Sequence, residues 1–306
     1  MKQPALVALL SVAAAFLWGY TAASQVVWTP AHELAPPVVS GFVGSGDLDG
    51  DGDDDVSGFG WRNQYWNMGC PGPPAWQLQE GAFPDVAACT ENSGTLGDCD
   101  ADGDLDLVYG CWECCSLRMI WNVGTPQAPV WQHSGAIAGN PYAGYEAYDR
   151  LADIDADGDL DLVGTSSGGA VGVFENTGTP EAPCWVWLGL IPGIGFGASD
   201  GILAVGDLDG DGDLDIVGGS SFSRVKCWEN VGTSQVWSYI RNDAMLTGVT
   251  ATAIGVYGVA LPDVDCDGDC DLLIVGRIGG IYLYLNERIT PVRPGSWGTI
   301  KALYRQ

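Results

Sequence analysis

Positive charge is what this 306-residue sequence lacks most: 12 Lys and Arg stand against 39 Asp and Glu, a formal charge of −27. No stretch gathers the basic residues into a patch, which excludes nucleic acid and anionic membrane surfaces as electrostatic partners. Histidine is nearly absent too. His32 and His133 stand alone, so the sequence encodes neither a His-rich metal cluster nor a histidine general base with a neighbouring partner. A phosphate-binding glycine loop is missing. Past residue 17 there is no apolar run long enough to span a bilayer, which speaks against membrane insertion. The N-terminus itself has Lys2, an apolar run from Ala5 to Leu17 and the small residues Thr21-Ala22-Ala23. Those are the three parts of a secretory signal peptide, so residues 1–23 are predicted to be a leader and 24–306 the exported protein.

The acids that are present are not scattered. The pattern Asp-x-Asp-x-Asp-Gly-Asp-x-Asp occurs five times. Its aspartates are Asp47, Asp49, Asp51, Asp53 and Asp55; Asp98, Asp100, Asp102, Asp104 and Asp106; Asp153, Asp155, Asp157, Asp159 and Asp161; Asp207, Asp209, Asp211, Asp213 and Asp215; and Asp263, Asp265, Asp267, Asp269 and Asp271. Successive copies start 51, 55, 54 and 56 residues apart. Regular spacing in that range marks a repeat architecture of five units. These positions hold 25 of the 39 acids, and the remaining 14 nearly balance the 12 basic residues. A composition 46% hydrophobic with 13 Trp rules out an acidic disordered chain.

Five carboxylates within nine residues repel one another, and a folded loop tolerates them when a cation sits among them. Hard oxygens at odd positions around a turning glycine suit Ca²⁺, whereas Mg²⁺ keeps more of its waters. Side chains at the first, third, fifth and ninth positions and the main-chain carbonyl at the seventh are the expected ligands. Five ions would bring the charge to about −17. An EF-hand is excluded because its twelfth position needs a bidentate Glu, and here that position holds Gly58, Tyr109, Gly164, Gly218 and Ile274. Each loop runs on into a short apolar segment such as Leu214-Asp215-Ile216-Val217-Gly218, which predicts a strand.

Two further landmarks keep phase with the loops. An aromatic-Asn or aromatic-x-Asn element recurs (Trp66-Asn67, Trp121-Asn122, Phe174-Glu175-Asn176, Trp228-Glu229-Asn230, Tyr284-Leu285-Asn286), in three copies followed by Gly-Thr-Pro or Gly-Thr-Ser. A Trp then opens the next strand, at Trp76, Trp131, Trp185, Trp237 and Trp297. Each unit thus reads as four antiparallel strands with a metal loop between the first two, one propeller blade. On these motifs the chain, over about residues 28 to 297, resembles the FG-GAP and VCBS repeat families, the calcium-binding blades also found in integrin α propellers. The resemblance implies an all-β fold, a β-propeller of four-stranded blades, with Ca²⁺ in all five loops. Better-known members have seven blades; five loops predict five. Trp28 and Trp297 then both offer a closing strand, and one is surplus: it caps the ring, or pairs with another chain's edge, or the chain belongs to a longer or incomplete propeller.

Ten cysteines in an exported chain predict disulfides, and Cys266 with Cys270, flanking one loop, form a feasible pair. Outside the loops, the least repeat-like stretch carries Tyr142, Tyr145, Glu146 and Arg150, a mixture of aromatic surface and both charges that suits a sugar or peptide. The function expected is a secreted, non-enzymatic binding or adhesion module for an extracellular glycan or protein. A polysaccharide lyase or hydrolase built on the propeller, or a self-assembling protein using the surplus strand, are the competing readings.

Overall fold

A computed structural model describes residues 26–36, 44–58, 63–80, 94–111, 116–136, 148–165, 168–179, 182–196, 201–251, 255–277 and 280–288. Tyr142, Tyr145, Glu146 and Trp297 lie outside them. Strand β1 (Trp28–Pro30) comes first in the chain but belongs to the last blade. Blade one is β2 (Gly44–Gly46), β3 (Asp55–Ser57), β4 (Asn63–Asn67) and β5 (Trp76–Glu80). Blade two is β6 (Gly94–Gly97), β7 (Asp106–Cys111), β8 (Ser116–Asn122) and β9 (Trp131–Ala136), and blade three β10 (Tyr148–Ala152), β11 (Asp161–Thr165), β12 (Ala170–Asn176) and β13 (Trp185–Gly195). Blade four is β14 (Ile202–Gly206), β15 (Asp215–Ser220), β16 (Ser223–Asn230) and β17 (Tyr239–Arg241). Blade five holds β18 (Val256–Ala260), β19 (Leu272–Gly276) and β20 (Ile281–Asn286), with β1 antiparallel to β20 as its outer strand. The fold is a five-bladed β-propeller, as the repeat count predicts.

The surplus strand has a place in this ring. Trp28 stands opposite Asn286, as Trp76 stands opposite Asn67, Trp131 opposite Asn122 and Trp185 opposite Asn176. It is 5% exposed, and its indole N–H donates to the Met245 carbonyl at 2.6 Å. In blade four the seat opposite Asn230 belongs to Tyr239 rather than to Trp237. Trp237 instead lies in the preceding turn and donates across the seam to the Ile154 carbonyl.

Because successive strand residues point to opposite faces, each blade buries one set of side chains against each neighbour. Five core clusters result, one per seam. Leu48, Leu96, Leu107 and Ile120 fill the first with Trp66 and Trp131 at its margin, while the cluster between blades four and five also takes in Trp28. A ring of this kind has no free blade ends once β1 is docked, and its five loops all emerge on one face.

Candidate metal centres

Each acidic loop joins the first two strands of a blade and folds around its first aspartate. Asp47 accepts from the backbone N–H groups of Gly50, Asp51 and Gly52, and Asp207 from those of Gly210 and Gly212. The sixth position has φ between +89° and +102° in all five loops, at Gly52, Gly103, Gly158, Gly212 and Gly268. A Cβ there would meet nothing within 4 Å, so glycine is required for its backbone freedom and not for space. The fourth position is left-handed as well, and three loops place side chains there: Ala101, Ala156 and Cys266.

The ninth aspartate anchors the loop to the blade. Its Oδ1 accepts from the backbone N–H of the turn asparagine in every blade, from Asn67 to Asp55 at 2.7 Å through Asn286 to Asp271 at 2.8 Å. Its Oδ2 accepts from the second residue of the loop, as Leu48 N–H does to Asp55 at 2.8 Å. The asparagine side chain in turn accepts from two amides across the next turn in the first four blades, those of Gly69 and Ala75 in blade one. The recurring aromatic-Asn element is therefore a clamp between metal loop and turn, which the sequence marked without showing its partner.

Carboxylate oxygens from the first, third and ninth positions come within 4.8 Å of one another in loops one to four: Asp47, Asp49 and Asp55; Asp98, Asp100 and Asp106; Asp153, Asp155 and Asp161; Asp207, Asp209 and Asp215. At the fifth position the side chain accepts from the seventh residue's N–H, at 3.1 to 3.3 Å. At the seventh position, where a main-chain ligand is expected, the side-chain Oδ1 of Asp53, Asp104, Asp159, Asp213 and Asp269 is also buried with no hydrogen-bond partner, as is that of Asp100 and Asp265 at the third. A buried anionic oxygen without a donor is costly, and the same atom recurring in all five loops is shaped for a cation. These clusters could hold metal ions.

The electrostatics agree. Burial, before any neighbouring carboxylate, pushes Asp55, Asp215 and Asp271 up to about 8 and Asp106 and Asp161 up to about 7. Burial and then the adjacent Asp51 charge raise Asp53 to about 7. Without a cation these loops hold protons at neutral pH.

The fourth and eighth positions face opposite seams. Eighth-position side chains pack on the preceding blade: Leu105 at Gly46, Leu160 at Gly97, Cys270 at Gly206, each about where a glycine Cβ would stand. Fourth positions meet the turn of the following blade, where Gln127 donates to the Asp49 carbonyl beside Gly50 and Gln235 to that of Asp155 beside Ala156. Cys266 and Cys270 therefore point away from each other, and the expected pair does not form. Cys266 instead bonds Cys70 in the turn of blade one, with Cα atoms 5.9 Å apart and 196 residues between them in sequence, while Cys270 is a free thiol.

Arg150, expected on a ligand-binding face, is buried on the propeller axis. It lines a polar cavity of 180 Å³ with residues of all five inner strands and donates to the carbonyls of Gly94 in blade two and Val259 in blade five. It ties three blades together across the axis. Glu229 accepts from the Asn242 side-chain amide at 2.7 Å.

Residues 153–218 match the FG-GAP-like repeat and residues 201–239 the FG-GAP repeat. FG-GAP repeats are thus found within residues 153–239 of the chain. No curated protein sequence matches it. Among solved structures, a lectin of Agrocybe aegerita whose recognition of non-reducing terminal N-acetylglucosamine is described is 21% identical over 86% of this chain, with a TM-score of 0.43. This chain spans 64% of that lectin's length. AofleA from Arthrobotrys oligospora is 11% identical over 87% of this chain and 90% of its own, TM-score 0.42. The NanB sialidase of Streptococcus pneumoniae is 10% identical over 86% and 42%, TM-score 0.43. None of these likenesses bears on what this chain binds.

Proposed function

We propose that this FG-GAP protein is a secreted propeller that holds Ca²⁺ in its five loops and works as a non-enzymatic binding module for an extracellular glycan or protein. The observation that carries the metal is the set of seven buried Oδ1 atoms without donors, five at the seventh position and two at the third. Hard carboxylate oxygens in that number suit Ca²⁺, which takes six to eight ligands, better than Mg²⁺. Bound calcium would neutralise the loops and so fix their shape. The aspartates at the first, third, fifth, seventh and ninth positions of each loop are the residues to hold it. The cross-seam hydrogen bonds from Gln127 and Gln235 end on loop carbonyls, so a filled loop also stiffens its neighbouring blade. That is the property of a scaffold that presents surfaces. The Cys70–Cys266 disulfide suits an oxidising compartment.

Native mass spectrometry tests the metal. Five calcium ions are expected on the intact chain and four on Asp209→Ala; a chain without bound calcium would overturn the reading. Glycan and extracellular-protein arrays probed with the calcium-loaded chain test the binding role, and silence on both would remove it.

A further inference from the structure

The fourth residue from the end of each third strand follows one rule with one exception. In blades two to five the residue three before the turn asparagine is Met119, Val173, Cys227 and Leu283, each apolar and at most 2% exposed. In blade one it is Gln64, equally buried at 3%. A polar residue where the other four repeats put core is a local rule broken, and such departures concentrate at functional sites. Gln64 stands directly opposite Gln79 in the register of β4 and β5. Both line a cavity of 220 Å³ in the seam between blades one and two, with the rings of Trp66 and Trp131 and of Pro126 and Pro129 on its walls.

The hydrogen bonding shows what this cavity lacks. The Gln64 carbonyl oxygen accepts from the Trp66 indole N–H at 3.0 Å, which fixes the side chain with its amide nitrogen pointing away from that bond. Among the described residues that nitrogen donates to nothing, and the Gln79 side chain has no partner among them either. Two amides with unused donors thus sit side by side between indole rings, and none of the lining side chains carries a charge. Donors and acceptors fixed beside a flat aromatic surface match the hydroxyl edge and the C–H face of a sugar ring. The absence of any cation or carboxylate among these lining residues selects against charged sugars, because a buried charge without a counter-charge is costly.

From this geometry we infer that the seam between blades one and two is a binding site for a neutral pyranose residue, with Gln64 and Gln79 hydrogen-bonding its hydroxyls and Trp66 and Trp131 packing on its face. The inference rests on the reading of the chain as a binding module and names the site. Leu48, second residue of the first acidic loop, and Leu105, eighth residue of the next, form part of the same wall. The site is therefore built on two metal loops without a ligand oxygen reaching either ion, and sugar binding will need filled loops although no sugar touches calcium.

The test is saturation-transfer NMR and titration calorimetry on the calcium-loaded full chain with the methyl glycosides of glucose, galactose, mannose, fucose and N-acetylglucosamine, and methyl glucuronide as the charged control. At least one neutral glycoside should bind saturably and the glucuronide at least tenfold more weakly. Gln64→Met, which copies blade two, and Gln79→Ala should each weaken that binding at least tenfold with unchanged calcium content and melting. If Gln64→Met does not fold, Gln79→Ala decides, since Gln79 is only half-buried. Native calcium content with no binding of any neutral glycoside, or with both variants binding like the parent, overturns the site. Such a result would leave the module reading standing or falling on the array experiment.

Discussion

The seam that closes the ring, between blades five and one, is built unlike the seam between blades one and two. Among the described residues the latter shows apolar packing, Leu105 on Gly46 included, and a hydrogen bond from Gln127 to the Asp49 carbonyl. In the former, the fourth-position contact and the eighth-position packing are both replaced by bonds. The fourth position of loop five and the turn residue facing it are Cys266 and Cys70, joined covalently. At the eighth position of loop one Leu gives way to Asp54, whose Oδ2 accepts from the Asp263 N–H at 2.9 Å, and Asn67 donates to the Val264 carbonyl. The outer strand of blade five is itself borrowed from the other end of the chain. Four seams join blades that follow one another in sequence, so the chain itself keeps them at high effective concentration. The fifth joins blades separated by nearly the whole propeller and must meet a larger loop-closure entropy. The disulfide and the Asp54 bond sit where that cost falls, whereas the Asn67 bond has a counterpart from Asn286 to the Leu208 carbonyl.

A metal loop borders every seam, so stripping calcium should give the largest effect and the sharpest contrast. Each filled site at a hundredfold excess over its Kd contributes about 2.7 kcal/mol, and five together outweigh any single side chain. Chelation should therefore lower the melting temperature steeply. Hydrogen exchange on the stripped protein should show loops one to four opening before the seam held by Cys70–Cys266; uniform opening would dissolve the contrast between seams. The pH dependence should also change sign. In the stripped protein the ninth aspartates sit near 7 to 8 when folded, against an ordinary 3.8. The folded state then binds more protons than the unfolded one between about pH 4 and 8, so stability falls as pH rises through that window. In the loaded protein calcium keeps these groups ionised and protons compete with it, so stability falls as pH drops. Melting curves at pH 5 and pH 8, with and without calcium, should cross; parallel shifts would mean the loops carry no ion.

Trp28→Ala strikes the closing strand next. A fully buried Trp replaced by Ala costs about 3–5 kcal/mol, and here the Met245 carbonyl also loses its donor. Trp131→Ala, at the matching seat of blade two, should cost less because Trp131 is only half-buried and its strand is tethered on both sides. Equal losses by chemical denaturation would show that closure adds nothing to this seat.

Smaller still is the loss of the disulfide. Cys70→Ser with Cys266→Ser should cost about 2–4 kcal/mol, mainly by freeing the unfolded chain. The ring should stay closed through β1, with native calcium content. A double variant that loses β1 pairing by hydrogen exchange would make the disulfide the primary closure.

The repeat was legible because the loop aspartates, the turn asparagine and the leading aromatic are each required once per blade, which writes them into the sequence at fixed phase. The seams were not. Whether Trp28 or Trp297 completes blade five depends on which end of the chain reaches β20, and no local pattern encodes that. The pairing of Cys266 with Cys70 depends on the opposite directions of the fourth and eighth loop positions, visible only once two neighbouring blades are in place. Arg150 read as a surface group because its segment broke the repeat, when the break reflects its place on the axis. The Gln64 signal did lie in the sequence: aligned on the turn asparagine, it is the one amide among Met119, Val173, Cys227 and Leu283.

The smallest effect comes from carrying the closing device to another seam. Ala156 holds in loop three the fourth position that Cys266 holds in loop five, with φ of 58° against 60°. Thr233 follows the Asn-Val-Gly turn of blade four as Cys70 follows Asn-Met-Gly in blade one. If the seams share one geometry, Ala156→Cys with Thr233→Cys should form a disulfide on oxidation, seen as a mass loss of about two hydrogens and no titratable new thiol. Ala156 already carries a Cβ in this left-handed conformation, so the substitution adds little backbone strain. The gain should nonetheless be small, about 0–2 kcal/mol, because the new loop is far shorter than the 196-residue one and engineered bridges deliver less than loop entropy allows. Failure to oxidise would mean that the closing seam differs from the others in backbone geometry, and not merely in the side chains it carries. Oxidation with a gain matching the loss from Cys70→Ser and Cys266→Ser would remove the special role of ring closure.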